Sequence, residues 1–205
     1  MSLRPIFVVA GVGNGSGTRS FSEAGYSVAL IARNVCALQE LADELNGSGG
    51  DAHIFPIESY TAAAIHSAFD LIADHWASSP LTVALFNATS DVRGAFLDIT
   101  SAQLKESVDT NIVASFAFAR EAILAFKAQP THDGKSGTLL FTGATASPRR
   151  NMTTSAFAIG KFGIRALAQS LAKEFGKENI HVAHVIIDGD KTEWISFAMA
   201  SDDID

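Results

Sequence analysis

The stretch Ile6-Phe7-Val8-Val9-Ala10-Gly11-Val12-Gly13-Asn14-Gly15-Ser16-Gly17 constrains the fold more than any other part of the chain. An unbroken apolar run rich in β-branched residues, ending in a glycine cluster, reads as a buried parallel strand that feeds a phosphate-binding turn. In that turn Gly11 permits the tight bend, Gly15 lets the backbone approach a pyrophosphate with no Cβ in the way, and Gly17 lets the next helix pack closely. The anion then sits on the open N–H groups of the helix start, beside Asn14 and Ser16. Because the spacing is GxxxGxG rather than the commoner GxGxxG, the strand context carries the inference as much as the glycines do.

Beyond the turn, apolar runs alternate with helical periodicity. Strands are predicted at 27–32, 52–57, 81–86, 138–142 and 181–187, and helices at 18–24, 37–45, 62–75 and 155–175, with one very long or two broken helices over 101–126. Strand–helix alternation of this kind predicts right-handed crossovers and an α/β fold: a single doubly wound parallel sheet with helices on both faces, one domain spanning 1–205. Ligands are expected beyond the C-terminal ends of the strands. Helices 116–126 and 157–175 are apolar on more than one face, which predicts self-association through them.

Composition narrows the partners. The 205 residues carry a net charge of −7, with 22 acidic against 15 basic side chains and no basic run beyond Arg149-Arg150, which argues against nucleic acid or a membrane as the main partner. No long apolar stretch or leader pattern is seen, and the expected location is cytoplasmic. The lone Cys36 excludes an intrachain disulfide and is expected to be a packing residue. The six histidines show no metal-ligand spacing, so no metal is expected.

Three further segments add chemistry. Leu85-Phe86-Asn87-Ala88-Thr89 follows the fourth strand; Asn111 lies in Val108-Asp109-Thr110-Asn111-Ile112, a polar residue inside an apolar helix; and Phe157-Ala158-Ile159-Gly160-Lys161 places a lysine on a helix too apolar for a simply solvated charge. With the glycine turn, these resemble, in order, the motifs of the short-chain dehydrogenase/reductases, over about residues 5 to 192. The likeness implies a Rossmann domain that moves hydride between a nicotinamide cofactor and an alcohol or carbonyl of unknown identity. It implies that Asn87 ties strand ends together while Ala88 lines the cofactor ribose, although an asparagine in a strand-end turn needs no such role. It implies further that Asn111 bends its helix and holds a relay water on its carbonyl. Lys161 would grip the nicotinamide ribose, Glu58 and Ser59 would flank the adenine, and Gly189 and Thr192 would meet the carboxamide. The second strand ends Ala32-Arg33-Asn34, without the acidic residue of NAD-preferring members. Arg33 is then expected to pair the 2′-phosphate, with Asn34 beside it, favouring NADP(H) over NAD(H); the plain alternative is a surface cation.

The chain also departs from the family. Phe157 stands at the catalytic tyrosine position and Ala144 at the serine position, and neither Tyr26 nor Tyr60 is expected to face the nicotinamide. Ordinary carbonyl reduction is therefore expected to be weak or absent, and the alternative to an oxidoreductase is an NADP(H)-binding sensor or scaffold. Asp188 precedes Gly189 where the family has proline. Residues 17–25 are about a helical turn short of the family pattern, and too few residues follow Gly189 for a substrate loop and last strand. Those segments are expected to be missing from the sequence as given.

Overall fold

The computed structural model describes residues 3–13, 15–131, 134–149 and 151–187. Six strands, β1 (Ile6–Ala10), β2 (Ser27–Ala32), β3 (Asp51–Pro56), β4 (Leu81–Phe86), β5 (Gly137–Ala144) and β6 (Ile180–Ile187), form one sheet in the order β3-β2-β1-β4-β5-β6. Every pairing is parallel. The central strands are apolar throughout because both faces are covered. Phe7, Val9, Val28 and Leu30 pack on the side of α2 (Val35–Gly47). Val8, Ala10, Ala29 and Ile31 pack on the opposite side, against α3 (Ala62–His75), α5 (Ala114–Lys127) and α6 (Ser155–Phe175). This is the doubly wound, Rossmann-type α/β sheet that the strand–helix alternation predicts.

Chain order reverses at β1, which lies between β2 and β4. Crossovers leave β1 and β4 in opposite directions there, so a crevice opens beyond their C-terminal ends. The register Val9↔Leu85 and Ala10↔Phe86 sets Gly11 directly beside the Asn87-Ala88 turn.

The helix starts differ from the sequence expectation for local reasons. Helix α1 (Ser16–Glu23) begins two residues early because Gly15, at φ +77°, already turns the chain into it. The second helix starts at Val35 because the Asn34 side chain caps it, accepting from the Ala37 N–H at 3.2 Å. That shift puts Cys36 in an exposed first turn, so it is not the packing residue expected.

Segment 101–126 resolves into α4 (Ser101–Val108), a π-helical turn (Asp109–Val113) and α5. The one-residue slip of a π turn rotates Asn111 inward, where its side chain is fully buried. It packs where a Cβ on Gly160 of α6 would stand, 2.6 Å from the Asn111 Cβ, so only glycine at 160 allows this approach. Helices α5 and α6 bury Phe118, Ala122, Phe126 and Ile164, yet also carry outward-facing Phe116, Leu124 and Ile159. Among the described residues no helix is long and apolar enough to cross a membrane.

Candidate active and cofactor site

The glycine turn is held from three sides. The Gly11 N–H donates to the Ile31 carbonyl at 2.8 Å, the Asn87 N–H donates to the Ala10 carbonyl at 2.8 Å, and the Asn87 side-chain amide donates to the Gly11 carbonyl. Asn87 thus fastens the ends of β1 and β4 together. Gly11 itself is left-handed at φ +85°, and a Cβ there would lie 2.4 Å from the Ala88 nitrogen.

Gly15 and Gly17 of the turn have different surroundings. A Cβ on Gly15 would meet Leu41 Cδ1 at 2.8 Å, so Gly15 is the position of close helix packing. Gly17 is the one that lines the crevice. Asn14 lies outside the described residues, as do Gly189 and Thr192. Ser16 contributes its backbone to the first turn of α1.

The crevice is a cavity of about 660 Å³. It runs from Arg33 and Tyr60 at one end, past Gly11, Gly17, Asn87 and Ala88, to Ala144, Phe157 and Lys161 at the other. Arg33 is exposed and holds its guanidinium carbon 5.7 Å from the centre of the Tyr60 ring. Burial pushes the Tyr60 hydroxyl up to about 12, against the pull of Arg33, so this phenol is a poorer acid than a free one. Glu58 and Ser59 fall outside this cavity, in a smaller depression between β3 and α3. Tyr60, one residue further on, forms the wall instead. Asn34 is committed to capping its helix.

At the far end, Lys161 is 3% exposed and donates from Nζ to the Thr142 carbonyl at 3.0 Å. Phe157 lies one turn earlier on the same face of α6, its ring centre 5.8 Å from that ammonium. Ala144 ends β5 on the same wall, two residues beyond Thr142, whose buried hydroxyl has no hydrogen-bond partner. The buried Ser147 hydroxyl accepts from the Ala144 N–H at 3.1 Å. Behind the wall a Cβ on Gly143 would touch the His184 ring at 2.3 Å. Burial first, and then the charges of Lys161 and Arg165, push His184 down to about 4, so it stays neutral beside the lysine at neutral pH.

Asn111 does not line the cavity but supports a loop that does. Its Oδ1 accepts from the Thr89 hydroxyl at 3.0 Å and the Ser90 N–H at 3.3 Å, and its amide donates to the Ser90 carbonyl at 2.9 Å. Its own carbonyl accepts from the Ser115 hydroxyl at 2.8 Å. Sequence reasoning missed Tyr60, Asp91, Arg93, Arg149 and Asn151 as lining residues. The Arg149-Arg150 pair was visible as the only basic run, but nothing in its spacing pointed to this cavity.

A glycine turn at the switch point of a parallel sheet, opening into a long cavity that ends on a buried lysine, defines a dinucleotide-binding protein of the Rossmann type. The short chain dehydrogenase family pattern matches residues 6–196, and the chain belongs to that family of nicotinamide-cofactor oxidoreductases. Its fold is similar to a short-chain dehydrogenase from Rhodopseudomonas palustris, at a TM-score of 0.85 and 30% identity over 95% of this chain and 90% of that one. It is also similar to the uncharacterized oxidoreductase YxnA of Bacillus subtilis, 27% identical over 89% of this chain and 50% of that protein. The 3-oxoacyl-[acyl-carrier-protein] reductase MabA of Mycobacterium tuberculosis is 23% identical over 80% of this chain and 64% of that one. The chain thus spans from half to just under two thirds of these two relatives.

Proposed function

We propose that the protein binds NADP(H), in preference to NAD(H), along the cavity from Arg33 to Lys161, and that its turnover of ordinary carbonyls is weak or absent. The observation that carries this reading is the wall formed by Ala144, Phe157 and Lys161: the lysine is in place, but the residues that would carry the family's two hydroxyls are apolar. The residues at the other end fit the cofactor. The Gly11 turn and the first N–H groups of α1 suit a pyrophosphate. Arg33 offers a guanidinium where the preceding residue, Ala32, brings no carboxylate, which suits a 2′-phosphate rather than a bare ribose hydroxyl.

When bound, the nicotinamide supplies hydride for transfer to or from a carbonyl carbon. The chain's own part is then to hold the ribose through Lys161 and to handle the proton on the substrate oxygen. A phenol beside an ammonium does that well; the threonine hydroxyls of this wall are far weaker acids. The same wall favours the second reading, a cofactor-binding sensor or scaffold, over an efficient reductase. The reading includes a cytoplasmic location, which the lone cysteine suits, and the acidic composition argues against nucleic acid or a membrane as a partner.

Titration with NADPH and NADH, followed by cofactor fluorescence, tests this. NADPH is expected to bind at least about tenfold more tightly, and Arg33→Ser to remove that margin by deleting one charge-assisted contact. Binding of neither cofactor, or brisk NADPH-dependent turnover of a small ketone by the native chain, refutes the reading. The proposal extends to self-association through the outer faces of α5 and α6, where Phe116 and Leu124 are exposed. Sedimentation velocity is expected to show a dimer or tetramer that Phe116→Glu with Leu124→Glu dissociates; a native monomer at micromolar concentration contradicts it.

A further inference from the structure

Besides Lys161 the cavity is lined by residues of two loops, Thr89, Asp91 and Arg93 after β4, and Arg149, Asn151 and Thr154 after β5; together the loops bound one compartment. One backbone hydrogen bond clasps them, the Gly94 N–H donating to the Thr153 carbonyl at 2.9 Å. Thr153 is left-handed at φ +66°, a conformation that β-branched residues rarely adopt. Such strain persists where the surrounding structure enforces it, often beside a functional site.

The clasp brings Arg93 over Phe157, with its guanidinium carbon 5.2 Å from the ring centre. Asp91, the carboxylate of this compartment, accepts from Arg93 Nε at 2.6 Å. That bond aligns the guanidinium through its inner nitrogen. The outer Nη pair holds no hydrogen bond among the described residues. Across the compartment the Arg149 side chain likewise has no hydrogen-bond or ion-pair partner among the described residues. Asn151 and Thr154 add only neutral groups to the wall, and the Thr154 hydroxyl already donates to the Asn151 carbonyl at 2.7 Å.

Among the described residues, Arg93 and Arg149 therefore line this space with Asp91 as its carboxylate, in a chain whose net charge is −7. Both guanidinium groups are solvent-exposed, and a neutral ketone could accept a hydrogen bond from either but would bring no charge to match them. A carboxylate or phosphate would meet a planar fork already oriented for bidentate hydrogen bonding.

We propose that this compartment binds the anionic end of an acidic small molecule, a carboxylate or a phosphate, with Arg93 as the direct anchor and Arg149 as a second contact. As a statement about substrate it rests on the cofactor reading above; as a statement about anion binding it does not. The test is calorimetric titration of the native chain with benzoate, phenyl phosphate and neutral benzamide, each with and without NADPH. At least one anion is expected to bind about tenfold or more tighter than benzamide, and comparison of the two anions separates a carboxylate site from a phosphate site. Arg93→Gln is expected to erase that margin, Arg93→Lys to keep part of it, and Arg149→Gln to reduce it several-fold. Equal binding of benzamide, or an unchanged margin in Arg93→Gln, overturns the proposal. Anion selectivity without NADPH binding upholds it and removes the cofactor reading, whereas NADPH binding without anion selectivity does the reverse.

Discussion

Phe157→Tyr combined with Ala144→Ser is expected to raise NADPH-dependent carbonyl reduction about 10²–10⁴-fold over the native chain, the usual worth of general acid help. The setting for the new phenol already exists. Lys161 is buried and held by the Thr142 carbonyl, 5.8 Å from the centre of the ring that would bear the hydroxyl. A neighbouring ammonium favours the phenolate and lowers the phenol pKa toward neutrality. The Arg93 guanidinium, 5.2 Å from the same ring centre, acts in the same direction. Ala144 lies at the last position of β5 on the cavity wall, where a serine hydroxyl would face the substrate oxygen. The variant should also acquire a pH profile, its reduction rate falling as pH rises through the new phenol's pKa. Turnover on a panel of small ketones and ketoacids measures the effect. NADPH binding with no gain in rate would show that more than the two hydroxyls separates this site from a working reductase.

Gly11→Ala is expected to cost about 2–5 kcal/mol of stability, enough to abolish the native state in many domains of this size. Two effects add. The left-handed φ of +85° is unfavourable for any residue with a Cβ, and the new atom would lie 2.4 Å from the backbone nitrogen and 2.5 Å from the Cα of Ala88. Backbone atoms pinned by the Asn87 clamp cannot retreat as a flexible side chain would. Gly25→Ala provides the control, since Gly25 has φ +88° but nothing within 4 Å of the missing Cβ. It is expected to cost only the conformational part, about 1–2 kcal/mol. Urea denaturation of both variants measures the difference; equal costs would mean that the Ala88 contact contributes nothing.

The sheet was legible in the sequence because burial on both faces writes itself as continuous apolar runs, from Ile6–Ala10 onward. The cavity ends were legible in part: Arg33, Asn87 and Lys161 follow strand ends or sit on a helix where a charge is otherwise out of place. What escaped depends on contacts between distant segments. The packing role of Gly15 is decided by Leu41, and the choice of Tyr60 over Glu58 and Ser59 by how the chain leaves β3. The π turn at Asp109–Val113 has no compositional mark, since one extra residue per turn leaves the apolar pattern nearly unchanged. Arg93 and Arg149 converge only through the Gly94–Thr153 clasp, which joins loops far apart in the chain.

The fit of Asn111 against Gly160 has an evolutionary consequence. Because a Cβ on Gly160 would stand 2.6 Å from the Asn111 Cβ, which every residue but glycine carries, a side chain gained at 160 requires glycine at 111 or a shift of the backbone, and losing Asn111 releases the Thr89-Ser90 loop at the same moment. Position 160 can therefore gain a side chain only if position 111 changes with it. Positions 93, 144 and 157 border open cavity and can change singly, so new chemistry in this lineage is more accessible through them, with the Asn111–Gly160 joint inherited intact.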